Sequence, residues 1–429
     1  MDIHVVKTGE TIEEIAAMYG VLTQKIIRDN ELNYLDNLVP GQVIIITYPE
    51  NIYVVQSGDT LRGIANKNNV SILQLFRNNP FLFDRKNLYP GETLVLNYNN
   101  TLGRMSVGGF AYPYIDRNIL TKTLPYLTYL TIFNYTLSSD GKVVSYYDDS
   151  DIIQTCKNFG VAPLMLLTTL TTRGVPNIEA VYDILSNEAL VDKYVNTILN
   201  LVKSKGYYGI NVSFQYLNTS NEHLYIKLLE KISDKSNELG YPLFVSVNPN
   251  KTVIENRMVF EQVDYSGYND LADSISFLSY HFGYNFGPPA PIGSIKEIQE
   301  ILDYVLNYIS PQKINIGFPT FGYDWELPYI IGFSKATSIT LDSILDLARS
   351  INAMIEFDEI SKTPYIRYTE HDTGIQHIIW FVDARTINYL LTLVIDNNLQ
   401  GTGIWNIMKY YPQLWLVINS QYEIVKIHF

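Results

Sequence analysis

Three uncharged polar side chains, Asn211, Ser213 and Gln215, recur at every second position of "GYYGINVSFQYL", Gly206 to Leu217. The segment reads as a buried parallel strand. Residues two apart in a strand share a face, so the three side chains point the same way and Gln215 stands nearest the C-terminal end. Amide and hydroxyl groups in such a row form hydrogen bonds but hold no proton that titrates near neutral pH. General acid or base help, typically about 10²–10⁴-fold, is therefore missing from a strand shaped to offer it. A second set lies in "FLSYHF", where Leu278 and Tyr280 follow the same alternation and His281 comes directly after. His281, with an unperturbed pKa of ~6.5, could serve as an acid or simply fill space.

The elements that must position these groups begin at about Thr101, where short apolar runs alternate with helical segments. The runs are "MSVGGFAY", "LTYLTIFNY", "VAPLMLLTT", "YGINVSFQ", "PLFVSVN", "ISFLSYHF", "INIGFPTFGY" and "GTGIWNIM". Strands alternating with helices argue a parallel α/β fold, and eight of them suit a (β/α)8 TIM barrel whose functional groups gather at the strands' C-terminal ends. Between about 330 and 381 a small α+β insertion is expected. In it "TLDSILDLARSINA" reads as a helix and "AMIEFDE", "PYIRYTE" and "HIIWF" as strands.

Ahead of the barrel the chain repeats itself. "IHVVKTGETIEEIAAMYGV" (Ile3 to Val21) is echoed by "IYVVQSGDTLRGIANKNNV" (Ile52 to Val70), in a register of 49 residues. Each copy predicts a strand, a glycine turn, a helix capped by Thr11 or Thr60, a second helix, and a Pro-Gly turn (Pro40-Gly41, Pro90-Gly91) into a closing strand. The repeats resemble the LysM module in "V-x-x-G-[ED]-T", in "I-x-x-x-N" runs ending at Asn30 and Asn78, and in "L-x-P-G" turns. The expected boundaries are 1–49 and 50–99, with the barrel over 100–429. That resemblance implies binding of N-acetylglucosamine backbones, in peptidoglycan or chitin, along shallow grooves. The grooves would be Thr8 to Thr11 with Asn33 to Leu38, and Ser57 to Thr60 with Pro80 to Asn87. Gly9, Thr11, Gly58 and Thr60 are the candidate sugar-binding positions, although each equally serves a turn or a cap.

Composition narrows the classes of partner. Hydrophobic residues make up 47% and charged residues 17%, which suits a large folded core. A net charge of −13 opposes binding to nucleic acid or to an anionic membrane and leaves a neutral ligand easier to accept. The single cysteine, Cys156, excludes an intrachain disulfide and reads as a small buried residue. "MDIHVVKTGE" lacks the basic and apolar regions of a signal peptide, and no apolar run approaches the ~20 residues of a membrane span. Synthesis in the cytoplasm without a signal peptide is expected, and no cofactor or metal is called for.

The barrel resembles glycoside hydrolase family 18, and within it LysM-bearing enzymes that lyse spore cortex. The matching text includes "LTYLTIFNYTLSSDGKV", "FGYNFGPPAPIGSIKEIQEILDYV", "KINIGFPTFGYDWELPY", "FDEISKTPYIRYTE" and "WFVDARTI". Family members cleave β-linked N-acetylglucosamine through D-x-x-D-x-D-x-E on strand 4. Its Glu donates a proton, and the Asp two before it orients the substrate's acetamido group as nucleophile. Laid on this chain the motif falls on Tyr208, Asn211, Ser213 and Gln215, so no carboxylate remains. On strand 6 the family's tyrosine is kept as Tyr280, while the acid after it is His281. The resemblance also implies a pyranose stacked on Trp405, with Tyr112 and Trp325 as further sugar-binding candidates.

These readings predict first a glycan-binding protein with a catalytically silent barrel, located at the spore surface, coat or cortex. A second possibility is an active N-acetylglucosaminidase with an unusual acid, His281 or Glu222. A third is a self-associating structural protein of a spore layer. Ser213 and His281 favour a naturally silent site over a single artificial Glu-to-Gln change.

Overall fold

The computed structural model describes residues 1–33, 37–85, 87–99, 102–137, 142–168, 185–214, 222–249, 251–254, 257–278, 285 and 287–429. The first repeat folds as β1 (Asp2–Val5), α1 (Ile12–Tyr19), α2 (Thr23–Asp29) and β2 (Val43–Ile46), and the second as β3 (Asn51–Val54), α3 (Leu61–Lys67), α4 (Ile72–Asn78) and β4 (Thr93–Asn97). In each the two strands pair antiparallel. The local signals act as their chemistry requires. The Thr11 hydroxyl accepts from Glu14 N at 3.3 Å while the Glu14 carboxylate accepts from Thr11 N at 3.0 Å, a reciprocal cap. Thr60 accepts from Gly63 N at 3.1 Å. Gly9 and Gly58 make their turns at φ +81° and +86°, in the left-handed region that a side chain disfavours.

One buried asparagine closes each repeat. The Asn30 amide donates to Ile26 O and Ile45 O, at 3.1 and 2.8 Å, and accepts from Ile45 N at 2.8 Å. Its counterpart is Asn79, which donates to Leu75 O and Val95 O at 2.8 and 2.7 Å and accepts from Val95 N at 2.8 Å. Asn78, the last residue of α4, faces the barrel, where it accepts from Asn419 Nδ2 at 2.9 Å.

The barrel is closed and parallel, as expected from the eight apolar runs. Its strands, in order round the barrel, are β5 (Gly103–Ala111), β6 (Tyr129–Leu137), β8 (Ala162–Thr168), β9 (Gly209–Phe214), β10 (Leu243–Val247), β13 (Ser274–Leu278), β14 (Ile314–Pro319) and β20 (Gly401–Trp405), and β20 returns to pair with β5. A short strand β7 (Val143–Ser145) extends β6, while β11 (Lys251–Ile254) and β12 (Arg257–Phe260) form a separate hairpin. Cys156 is fully buried in the barrel core, which pushes its thiol pKa up.

The insertion holds more strands than the sequence suggested. Its antiparallel sheet runs β16 (Thr337–Thr340), β15 (Phe321–Leu327), β19 (Gln376–Trp380), β18 (Thr363–Thr369) and β17 (Glu356–Asp358), backed by the helix Leu341–Ile351. The sheet therefore starts at Phe321 rather than near 330, because the apolar run read as one barrel strand is two strands separated at Thr320. Val39 of the first repeat is buried in the insertion's own core with Ile344, Ile355, Ile366 and Phe381.

Both repeats rest on one barrel helix, Pro412–Gln421. Gln413 near its start donates to Val43 O at 2.7 Å, and Asn419 near its end reaches Asn78. Lys122 lies between the units, 2.6 Å from Glu31 of the first and 3.1 Å from Asp84 of the second.

Candidate functional site

The alternation read from the sequence places Asn211 inside the barrel. Asn211 and Ser213 are buried, and Ser213 stands in register with Thr168 on one side and Ser246 on the other. Asn211 Nδ2 donates to Thr131 Oγ1 at 3.1 Å, and its carbonyl accepts from Ser246 Oγ at 2.9 Å. Across the barrel, Ser274 Oγ donates to Gln400 Oε1 at 2.6 Å, and Asn315 Nδ2 lies 2.7 and 2.8 Å from Gln400 Oε1 and Ser274 Oγ. Among the described residues these groups form chains of neutral hydrogen bonds with no titratable member. Thr131, Asn211, Ser274 and Asn315, with Gly108, Phe110 and Gly403, line a void of only about 20 Å³. That holds roughly one water, so no sugar ring fits at this level of the barrel.

At the rim an aromatic cluster surrounds Trp405, the last residue of β20. Its ring lies 5.4 Å from Phe110, 6.4 Å from Tyr112 and 6.4 Å from Phe133. Tyr112 stacks on Tyr114 at 5.2 Å, and Tyr114 meets Tyr147 at 5.3 Å. Trp405 itself is 8% exposed, whereas Tyr114 and Tyr147 are 55% and 48% exposed, so the array runs from a buried floor to open solvent. Burial also pushes the Tyr112 phenol above its ordinary pKa, which keeps it a neutral hydrogen-bonding group. Of these residues the sequence reading named Trp405 and Tyr112. Phe110, Phe133, Tyr114 and Tyr147 were missed, although "GGFAYPY" and "TIFNY" carried the signal of aromatics at strand ends.

The other candidates are placed differently. Trp325 is 3% exposed in the insertion sheet, its indole N–H donating to Gly287 O at 3.0 Å. Tyr208 precedes its strand, with its ring 5.9 Å from that of Phe429. Glu222 opens the helix Glu222–Leu239 and accepts from Asp264 N at 3.1 Å. Gln215, Tyr280 and His281 lie outside the described residues. Asp149, fully buried, is a carboxylate the sequence reading did not consider. Burial alone would raise its pKa, but bonds from Tyr135, Tyr207 and Asn134 at 2.6, 2.7 and 3.0 Å, with Lys205 3.0 Å away, hold it below the usual range. A proton donor needs the opposite shift, so Asp149 acts as a structural tie. Among the described residues no cluster of three or more His, Cys, Asp or Glu could hold a metal ion, and no helix is long and apolar enough to cross a membrane.

In the first repeat a groove of about 220 Å³ lies between the two expected loops, with Glu10, Thr11 and Glu13 on one side and Asn33, Asn37 and Leu38 on the other. Glu10 shapes the first loop, accepting from Lys7 N at 2.7 Å and pairing with His4 Nε2 at 2.9 Å. Asp59 repeats this in the second unit, accepting from Gln56 N at 2.7 Å and from Tyr53 OH at 2.9 Å. Gly9, Gly58 and Thr60 serve the turns and cap described above, while Thr11 both caps α1 and lines the groove.

Comparison with known proteins agrees with this architecture. Residues 173–409, more than half of the chain, match the model of the glycosyl hydrolases family 18, and residues 4–47 and 53–97 each match the LysM domain. The cortical fragment-lytic enzyme of Bacillus subtilis (strain 168) is 28% identical over 434 residues, covering 99% of each chain. Two solved structures are similar over nearly their full length, each at 26% identity. The Bacillus cereus spore cortex-lytic enzyme SleL has a TM-score of 0.78 with 99% of each chain covered. The Bacillus megaterium QM B1551 enzyme SleL has 0.79, covering 99% of this chain and 98% of that one.

Proposed function

Because this chain belongs to the glycosyl hydrolases of family 18 and carries two LysM domains, we propose that it is a spore-associated glycan-binding protein with a catalytically silent barrel. The observation that carries the silence is the Thr131–Asn211–Ser246 chain. A carboxylate at Asn211 would replace an amide that already gives and receives one hydrogen bond, and the strand offers no charge to a developing cation. Gln215, at the end of the same row, cannot supply the proton that the leaving oxygen needs. Binding remains well provided for, by the groove of the first LysM unit and by the aromatic rim at Trp405. Its ligand is a polymer of N-acetylglucosamine of the peptidoglycan or chitin type. The place of action is the spore, a reading supported by the similarity to cortex-lytic enzymes.

The same similarity also favours a second reading, an active cortex glucosaminidase. Incubating the purified chain with spore-cortex fragments and N-acetylglucosamine oligomers separates the two. Retention on insoluble peptidoglycan with no new reducing ends supports the silent binder. Turnover abolished by His281→Ala supports the enzyme.

A further inference from the structure

A second cavity, of about 310 Å³, lies where the first LysM unit, the insertion and the barrel meet. Its lining is shared between the three parts. The LysM unit gives Glu31, Asn33 and Gln42, the insertion gives Asp342 and Asp346, and the barrel gives Tyr410. Gln42 is 3% exposed. Its Oε1 accepts from Val39 N at 3.0 Å, which fixes the orientation of the amide, and Nε2 has no partner among the described residues. A buried amide donor left unmatched beside a cavity can take its acceptor from water or from a ligand that displaces it.

The remaining chemistry narrows that ligand. Four carboxylates line the space, three of them ion-paired, Glu31 with Lys122 at 2.6 Å, Asp346 with Arg349 at 2.7 Å and Asp383 with Arg385 at 2.7 Å, so no net positive charge is left to favour a phosphate or free carboxylate. Carboxylates at the rim accept from hydroxyls, and Phe381 and Leu345 add apolar surface. An acetamido sugar presents a carbonyl acceptor, several hydroxyl donors and an apolar ring face together. The cavity also shares Leu32 and Asn33 with the LysM groove, so the two are neighbours on the same loop. On its other side it touches the starts of the helices Ala384–Asp396 and Pro412–Gln421, which lie at the barrel end where the strands terminate. Trp405 is only six residues from Tyr411, at most ~20 Å of extended chain.

We propose that this junction is a carbohydrate subsite for an N-acetylhexosamine unit, carrying a glycan from the LysM groove towards the barrel rim with its acetamido carbonyl on Gln42 Nε2. The inference rests on the glycan-binding reading above and gives it a direction, since one strand of polymer would contact the LysM unit, the junction and the rim in turn.

Calorimetric titration of the full chain with N-acetylglucosamine oligomers, from dimer to hexamer, tests it. The expected result is affinity that steps up with length, about tenfold from one added subsite. Gln42→Leu and, separately, Asp342→Lys should remove that step and leave the shortest binding oligomer unchanged. Asp342 is exposed, so its variant keeps the test open if Gln42→Leu does not fold. Glucose oligomers, lacking the acetamido group, should show no step. Variants that bind every length as the wild type does would overturn the subsite, and an equal step with glucose oligomers would overturn the acetamido assignment. If the wild type binds no oligomer and is not retained on peptidoglycan, the glycan reading itself fails and the subsite with it.

Discussion

The two LysM units share their internal devices and differ in what they touch. Asn30 and Asn79 make the same three bonds, and Glu10 and Asp59 cap the same turn. Outside, the first unit is fused to the insertion, with Ile355 N donating to Pro40 O at 2.8 Å and Arg349 reaching Asn37 O at 3.0 Å. The second packs instead on a part of the barrel's surface beside the shared helix, where Tyr126 OH donates to Arg77 O at 2.6 Å and Phe83 meets Phe159 at 6.5 Å. A repeat thus carries its own fold in its own residues, while its partners are set by the surface on which it lands. Among the described residues, those of the first unit border the junction cavity and those of the second do not.

The largest expected effect separates two glycines that the sequence makes equivalent. Gly41 and Gly91 both sit in Pro-Gly turns, at φ +84° and +89°. A Cβ at Gly41 would lie 1.9 Å from Ile355 O, whereas nothing lies within 4 Å of one at Gly91. Gly41→Ala should therefore cost about 3–5 kcal/mol by adding a steric clash to backbone strain, and Gly91→Ala only about 1 kcal/mol. Hydrogen exchange resolved by unit would measure both, and equal losses would break the contrast.

Asn30→Ala and Asn79→Ala should each cost about 2–3 kcal/mol, because either leaves a buried strand N–H and carbonyl without partners. Chemical denaturation followed by unit-resolved exchange should show the two losses alike. A large inequality would mean that the units are not equivalent inside.

Docking contacts should matter less. Gln413→Leu removes the donor to Val43 O, and Asn419→Leu removes the donor to Asn78. Each should cost about 1 kcal/mol. Proteolytic susceptibility should rise in the first unit alone for the former and in the second alone for the latter.

The smallest effect concerns pH and should be common to both units. Glu10 is held below its ordinary pKa by the Lys7 amide and then His4, and Asp59 by the Gln56 amide and then Tyr53. A lowered folded pKa stabilises the loop above the usual carboxylate range, and the benefit is lost as pH falls through the folded value. Amide exchange at Lys7 and Gln56 should therefore quicken together, relative to its intrinsic pH trend, as pH drops from about 6 to about 3. Glu10→Gln and Asp59→Asn should each abolish the change in their own loop.

Much of this architecture was legible because its causes are local. The repeats announce themselves through Thr11 and Thr60 caps, Gly9 and Gly58 turns and a fixed register. The eight apolar runs became the eight barrel strands. The insertion was legible only in part: its helix and last three strands were read, while Phe321–Leu327 and Thr337–Thr340 were not. The first of these continues the apolar pattern of β14, so periodicity alone shows no break.

By itself, then, the sequence determined the two βααβ units, the parallel barrel and the uncharged row Asn211, Ser213 and Gln215, since caps, turns, alternation and residue chemistry act over a few positions. Only the tertiary structure decided that Asn211 is bonded between Thr131 and Ser246, residues 80 and 35 positions away. It alone buried Trp325, surrounded Trp405 with Phe110, Tyr112 and Phe133, and enclosed Gln42 between three parts of the chain. Such contacts join residues far apart in sequence, and no local propensity encodes which surfaces will meet when the units dock.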